Sequence, residues 1–203
     1  VKIPASLDPT AVAVFACPGP TAMHAFRLGE QAGLKWEEIR SAVVQGGGPV
    51  GSYAVMYLKA MGVERVYAII NRADPAREAL LYKLGADEVL TLAAEGAEAV
   101  TGKLQAENGG LGVDLCYEGM NILRNRGFYL VPGQYSNAGG IEIQPQVITF
   151  KAVRIIGSSQ YSMIDVKDYL AFLEAHPALV PIIRGLAACY PVSEANKAFE
   201  DAL

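Results

Sequence analysis

Ser41-Ala42-Val43-Val44-Gln45-Gly46-Gly47-Gly48-Pro49-Val50-Gly51 passes from an apolar run into glycines and then into a second apolar stretch. The glycines at 46, 48 and 51 follow the spacing Gly-x-Gly-x-x-Gly, in which each position does a different job. Gly46 lets the chain turn sharply off a strand, Gly48 lets bare backbone approach a pyrophosphate, and Gly51 lets a new helix lie close against the sheet. Val50, Ala54, Tyr57, Leu58 and Met61 then share one face at helical spacing. Pro49 suits the first turn of that helix, where its missing N–H removes no intrahelical bond. Free N–H groups at the helix start point toward a diphosphate. Strand, turn and helix in this order predict a dinucleotide-binding site.

Outward from this turn, strands and helices alternate. Arg65–Ile70 reads as a buried strand, and Asp74 followed by Pro75 caps a helix with Ala76, Ala79, Leu80 and Leu84 as its apolar stripe, ended by Gly85. Glu88–Thr91 reads as a third strand and residues 93–107 as an alanine-rich helix. After the Asn108-Gly109-Gly110 turn come strands at 113–118 and 127–131, with a short helix between them, and a sixth at 153–157. The last leads into a helix with Met163, Val166, Leu170 and Leu173 on one face. This pattern predicts an α/β fold, a Rossmann doubly wound six-stranded parallel sheet with right-handed crossovers, over residues 41–185. Residues 1–40 hold no strand–helix unit, only an apolar patch at 11–15 and a helix near 21–32. Residues 186–203 predict a strand and an amphipathic helix with Ser193 as cap and Ala195 and Phe199 as apolar face.

Composition agrees with such a sheet. The 203 residues are 52% hydrophobic and 19% charged, as expected when both faces of a sheet are covered by helices. A formal net charge of −4 without a Lys/Arg cluster excludes a nucleic-acid partner. Lys59, Glu64, Arg65 and Arg184 interrupt the longest apolar stretches well short of the roughly 20 residues that cross a bilayer, so no membrane partner is expected. With no basic segment leading into an apolar core at the start, a cytoplasmic protein is expected. Cys17, Cys116 and Cys189 are widely spaced and imply no disulfide framework, with Cys116 and Cys189 read as small apolar residues.

The second strand closes on Ile69-Ile70-Asn71-Arg72, and the next acid is Asp74, already used as a helix cap. A carboxylate here would hydrogen-bond the adenosine ribose of NAD and repel a 2′-phosphate. Arg72 instead offers a guanidinium and Asn71 an amide, which favours NADP(H), with NAD(H) as the alternative.

Further marks are Lys2-Ile3-Pro4, Cys17-x-x-x-Thr21-Ala22-x-His24-Ala25, Lys83-Leu84-Gly85-Ala86-Asp87 and Val113-Asp114. With the glycine turn, they make the chain resemble the cofactor-binding part of a medium-chain dehydrogenase/reductase, the superfamily of zinc alcohol dehydrogenases and zinc-free quinone and enoyl reductases. The resemblance implies an oxidoreductase transferring hydride between NADP(H) and an alcohol/carbonyl pair. It also implies an N-terminal GroES-like catalytic domain, absent from this chain, toward which residues 186–203 would pack. Residues 1–40 become an interdomain segment, and the chain alone should bind dinucleotide and turn over nothing.

By the same resemblance Cys17 stands where the zinc-dependent branch places its third protein ligand, the other two lying in the absent domain. Thr21 and Val50 resemble residues at the nicotinamide face. Pro132, Gly133 and Gln134, with Ser158 and Gln160, resemble the stretches gripping its carboxamide. His24 reads as a local packing or capping residue and His176 as surface. Family members commonly dimerise through the sixth strand, and the apolar Val153–Gly157 edge, preceded by Ile141-Glu142-Ile143, needs a cover. A zinc-independent enoyl or quinone reductase is the alternative within the superfamily. A short-chain dehydrogenase would need a Tyr-x-x-x-Lys pair after the fourth strand, which is missing here. A methyltransferase using S-adenosylmethionine would want an acid where Asn71 and Arg72 stand. A non-catalytic dinucleotide sensor is a further class. The small-molecule substrate is not encoded here, since its pocket lies mostly outside this chain.

Overall fold

The computed structural model describes residues 1–117, 122–133 and 145–201. These form a six-stranded parallel sheet in the order β3-β2-β1-β4-β5-β6. The strands are β1 (Ser41–Gln45), β2 (Arg65–Ile70), β3 (Glu88–Thr91), β4 (Val113–Tyr117), β5 (Leu123–Val131) and β6 (Arg154–Gly157). The chain winds from β1 outward to β3, then crosses back to β4 and winds outward again to β6. A topological switch point therefore lies between β1 and β4, beside the glycine turn. Among the described residues no helix is long and apolar enough to cross a membrane.

Two apolar layers sandwich the sheet. On one face α1 (Pro9–Val14), α2 (Pro18–Gln31), α3 (Pro49–Ala60), α4 (Pro75–Lys83), α8 (Met163–Ala175) and α9 (Leu179–Arg184) share a core with Ala42, Val44, Leu115 and Leu130. On the other, Val100 and Leu104 of α6 (Ala97–Glu107) meet Val43, Tyr67, Cys116 and Tyr129, with Ile148 of α7 (Pro145–Lys151) at the edge. Alternate residues of β1 thus enter opposite cores, as the strand period requires. From Gly51 to Leu58 α3 is buried all round, because the sheet, α2 and α4 surround it. Phe26 stacks on Tyr57 at 4.9 Å, and Tyr53 meets Phe15 edge-on at 5.5 Å.

Local expectations are corrected where tertiary contacts outweigh periodicity. The alanine-rich helix breaks at Gly96, whose φ of +82° few other residues adopt, into α5 (Leu92–Glu95) and α6. In α4 the buried residue is Leu81, and Leu84 is buried just past the helix end, while Ala76 and Ala79 face solvent. Residues 123–126 belong to β5 rather than to a helix before it, and the rest of that expected helix lies outside the described residues. The register of β5 on β4 shifts between Val113 and Leu115, with Arg126 left-handed at φ +62°. The stretch that pairs regularly with both β4 and β6, Phe128–Leu130, lies within the expected fifth strand.

Helix α8 buries Asp165, Tyr169, Leu170, Phe172 and Leu173, leaving Met163 exposed. The tail forms no strand among the described residues, since no neighbouring strand pairs with 186–191. Ser193 sits in a short turn (Val192–Glu194), and α10 (Ala195–Glu200) leaves Phe199 exposed. Cys116 is buried as expected, whereas Cys189 is exposed.

Candidate functional site

Gly46 leaves β1 with φ +106°, and its N–H donates to the Ile69 carbonyl at 2.7 Å, tying the turn to β2. Gly48 is the residue before α3 and Pro49 its first residue. The first intrahelical bond runs from Ser52 N–H to Gly48 O at 2.8 Å, so the N–H groups of Val50 and Gly51 are left for an external acceptor. The glycines divide the work as their spacing predicts. A Cβ at Gly51 would strike the Gly46 carbonyl, whereas one at Gly46 or Gly48 would meet nothing within 4 Å. Open space over bare backbone is what a diphosphate requires.

Two hollows flank the turn and share Gly46 and Gly48. One, of about 620 Å³, is bounded by Gly47, Ile70, Asn71, Arg72, Asp74 and Arg77. The other, of about 230 Å³, is bounded by Thr21, Gln45, Pro49, Val50, Gly51, Tyr117, Pro132 and Gly133. The first lies at the carboxyl end of β2 and the second at the ends of β1, β4 and β5. An elongated ligand with two heads and a charged middle fits this layout.

The first hollow is electropositive. Asn71 and Arg72 are exposed, and Arg72 has no hydrogen bond or ion pair among the described residues. Asp74 accepts the Arg77 backbone N–H at 3.1 Å on one oxygen, and its other oxygen lies 3.5 Å from Arg77 Nε. The nearby carboxylate is therefore engaged as a cap, as expected. Arg77 is a second guanidinium that the sequence reading did not single out. Its signal was available: it stands in the first turn of the helix that Asp74 caps, facing the glycine turn. A Cβ on Gly47 would come 2.8 Å from Arg77 Cδ, so the arginine stem already packs on the turn.

In the second hollow the structure brings together Thr21, Val50, Pro132 and Gly133, from three separate segments. The Thr21 hydroxyl donates to the Cys17 carbonyl at 2.8 Å, which orients it on α2. Gln134 lies outside the described residues. Ser158 does not border the hollow; it is buried just past β6, its N–H donating to Val131 O at 2.8 Å. Gln160 is left-handed at φ +62°. His24 packs locally as expected, against Asp165 and Arg27. His176 is half-buried rather than surface, its Nδ1 2.8 Å from the Phe172 carbonyl near the end of α8.

Cys17 is exposed just before α2, one turn from Thr21. Its sulfur charge and a hydrogen bond to it push the Tyr161 phenol above its ordinary pKa. Among the described residues no group of three or more His, Cys, Asp or Glu could hold a metal ion. Zinc takes at least three protein ligands, so these residues do not by themselves fit it.

Residues 49–175, most of the chain, match the profile of the family described as zinc-binding dehydrogenase. The 5-exo-hydroxycamphor dehydrogenase of Pseudomonas putida is 28% identical over 98% of this chain and 56% of its own length. An alcohol dehydrogenase zinc-binding domain protein from Burkholderia ambifaria superposes with a TM-score of 0.78 at 21% identity, over 100% of this chain and 55% of its own. A protein from Sinorhizobium meliloti 1021 described as a zinc-binding dehydrogenase, bound to NADP, gives 0.71 at 21% identity over 88% of this chain and 52% of its own. The chain thus spans about half the length of the relatives it matches. With the glycine turn, the sheet order and the family profile in agreement, the chain belongs to the zinc-binding dehydrogenase family and is the part of such an oxidoreductase that carries its cofactor-binding domain.

Proposed function

We propose that this chain binds NADP(H) across the Gly46–Gly48 turn and serves an oxidoreductase that interconverts an alcohol and a carbonyl compound. The observation carrying the reading is the bare turn between two hollows, with nothing within 4 Å of the positions where side chains on Gly46 and Gly48 would stand. The diphosphate sits over that backbone, held by the free N–H groups at the start of α3. The adenosine half occupies the 620 Å³ hollow, where Arg72 and Arg77 face a 2′-phosphate and Asn71 the ribose. The nicotinamide half occupies the 230 Å³ hollow, with Thr21 and Val50 against one face of the ring. Pro132 and Gly133 lie at its carboxamide.

A nicotinamide supplies the hydride donor or acceptor when bound. The chain's own residues bind it, fix its orientation and shield one ring face from water. Family membership favours this reading over a methyltransferase. The name of the Pseudomonas putida relative supports an alcohol substrate, and the NADP in the Sinorhizobium meliloti structure supports the cofactor. Cys17 would contribute one thiolate to a zinc site completed by residues outside this chain, in a partner catalytic domain.

Calorimetric titration with NADPH, NADH and S-adenosylmethionine tests the proposal. NADPH is expected to bind more tightly than NADH, and S-adenosylmethionine not at all. Uptake of neither reduced nucleotide overturns it.

A further inference from the structure

We propose that Asp165 is a positioning residue that sets the shape of the Ser158–Tyr161 loop and through it the affinity for the nicotinamide half of the cofactor. The inference rests on the NADP(H) reading above and adds a residue to it. Asp165 lies in the first turn of α8 and is wholly buried between α8 and α2. A carboxylate so placed needs several partners, and it has them. One oxygen accepts the Ser162 backbone N–H at 2.7 Å and the Ser162 hydroxyl at 2.8 Å, and it lies 3.2 Å from His24 Nδ1. The other pairs with Arg27. Asp168, one turn along, stands 4.0 Å from the same guanidinium.

Helix capping alone does not require this burial, since Asp74 caps α4 from a partly exposed position. The geometry of what Asp165 joins is specific. His24 and Arg27 continue the face of α2 that carries Thr21, which borders the nicotinamide-side hollow. Ser162 ends the loop of Ser158 to Tyr161. At its other end the loop is fixed by Ser158 N–H on Val131 O, beside Pro132 and Gly133. Between these anchors Gln160 holds a left-handed φ of +62°. The Ser158 hydroxyl is buried with no hydrogen-bond partner among the described residues. A loop in this state needs both ends held, and Asp165 holds the end that the sheet does not.

The test compares whole and half ligands on Asp165→Asn, an isosteric change. NADPH affinity is expected to fall about tenfold, the worth of a charge-assisted hydrogen bond, while adenosine 2′,5′-bisphosphate binds within about twofold of the original protein. Ser162→Ala, which keeps the Arg27 pair, should shift NADPH affinity in the same direction by less, and it stands in if Asp165→Asn does not fold. Equal losses for both ligands mark a merely structural role and overturn the inference, as does unchanged NADPH affinity in both variants. If the unaltered protein binds neither ligand, the NADP(H) reading fails and the inference falls with it.

Discussion

A Cβ on Gly51 would stand 1.9 Å from the carbonyl oxygen of Gly46, five residues back along the chain. Helix α3 and the turn that feeds it are packed backbone to backbone at this point, and only glycine allows it. Gly51→Ala must therefore push the helix off the turn. The expected loss of stability is about 1–3 kcal/mol, read from a urea melt. Gly48→Ala makes the contrasting case, because open space surrounds the new methyl group. Its stability should change by no more than about 0.5 kcal/mol, while NADPH binding weakens by at least about tenfold.

Arg72 and Arg77 face one hollow with a single carboxylate, Asp74, already tied to a helix start. Each arginine replaced by alanine should lower NADPH affinity about tenfold or more and leave NADH within about twofold. The double variant should bind the two nucleotides alike. Calorimetry on the four proteins checks this, and a retained preference in the double variant would mean that the 2′-phosphate is held elsewhere.

Asp114 staples three strands at the end of the sheet opposite the glycine turn. Its Oδ2 accepts the backbone N–H groups of Arg40 and Ser41, both at 2.8 Å, and its carboxylate also pairs with Arg124 in the irregular first half of β5. Asp114→Ala leaves two N–H donors and a cation without their acceptor. We expect destabilisation of about 3–5 kcal/mol in a urea melt.

Asp165 gives the protein an acid limit. Burial pushes its pKa up, but hydrogen bonds from Ser162 and the charges of Arg27 and His24 outweigh this and hold the carboxyl below its usual range. A group with a lowered folded-state pKa stabilises fully above its unfolded value, about 4, and loses that contribution as pH falls through the folded value. Thermal melts should show stability falling below about pH 4, with a shallower fall in Asp165→Asn.

The outer strand β6 exposes Arg154, Ile155 and Gly157, and Ile155 is 41% accessible. A parallel edge of this kind is a template for pairing with a second copy. Light scattering is expected to report a dimer, and Ile155→Lys a monomer.

Much of this was legible from local chemistry. Gly46, Gly48, Pro49 and Gly51 adopt the geometry their spacing requires, because the need for an absent Cβ is a property of the backbone alone. Asp74 caps its helix for the same reason, as a local hydrogen bond. Arg77 was hidden because it is one more polar residue on a charged helix until the turn packs against its stem. Leu81 was missed in the stripe of α4, and Met163 wrongly placed in that of α8, because periodicity gives a helix a face without saying which neighbour covers it.

Sequence by itself determined the alternation of strands and helices, the glycine turn and the cationic end of β2, all set by interactions within a few residues. Only the tertiary structure decided that Thr21, Val50, Pro132 and Gly133 meet in one hollow, and that a carboxylate from α8 is buried against α2. Those contacts join residues distant along the chain. Their free energy depends on burial and on partners that assemble together only when the sheet has formed.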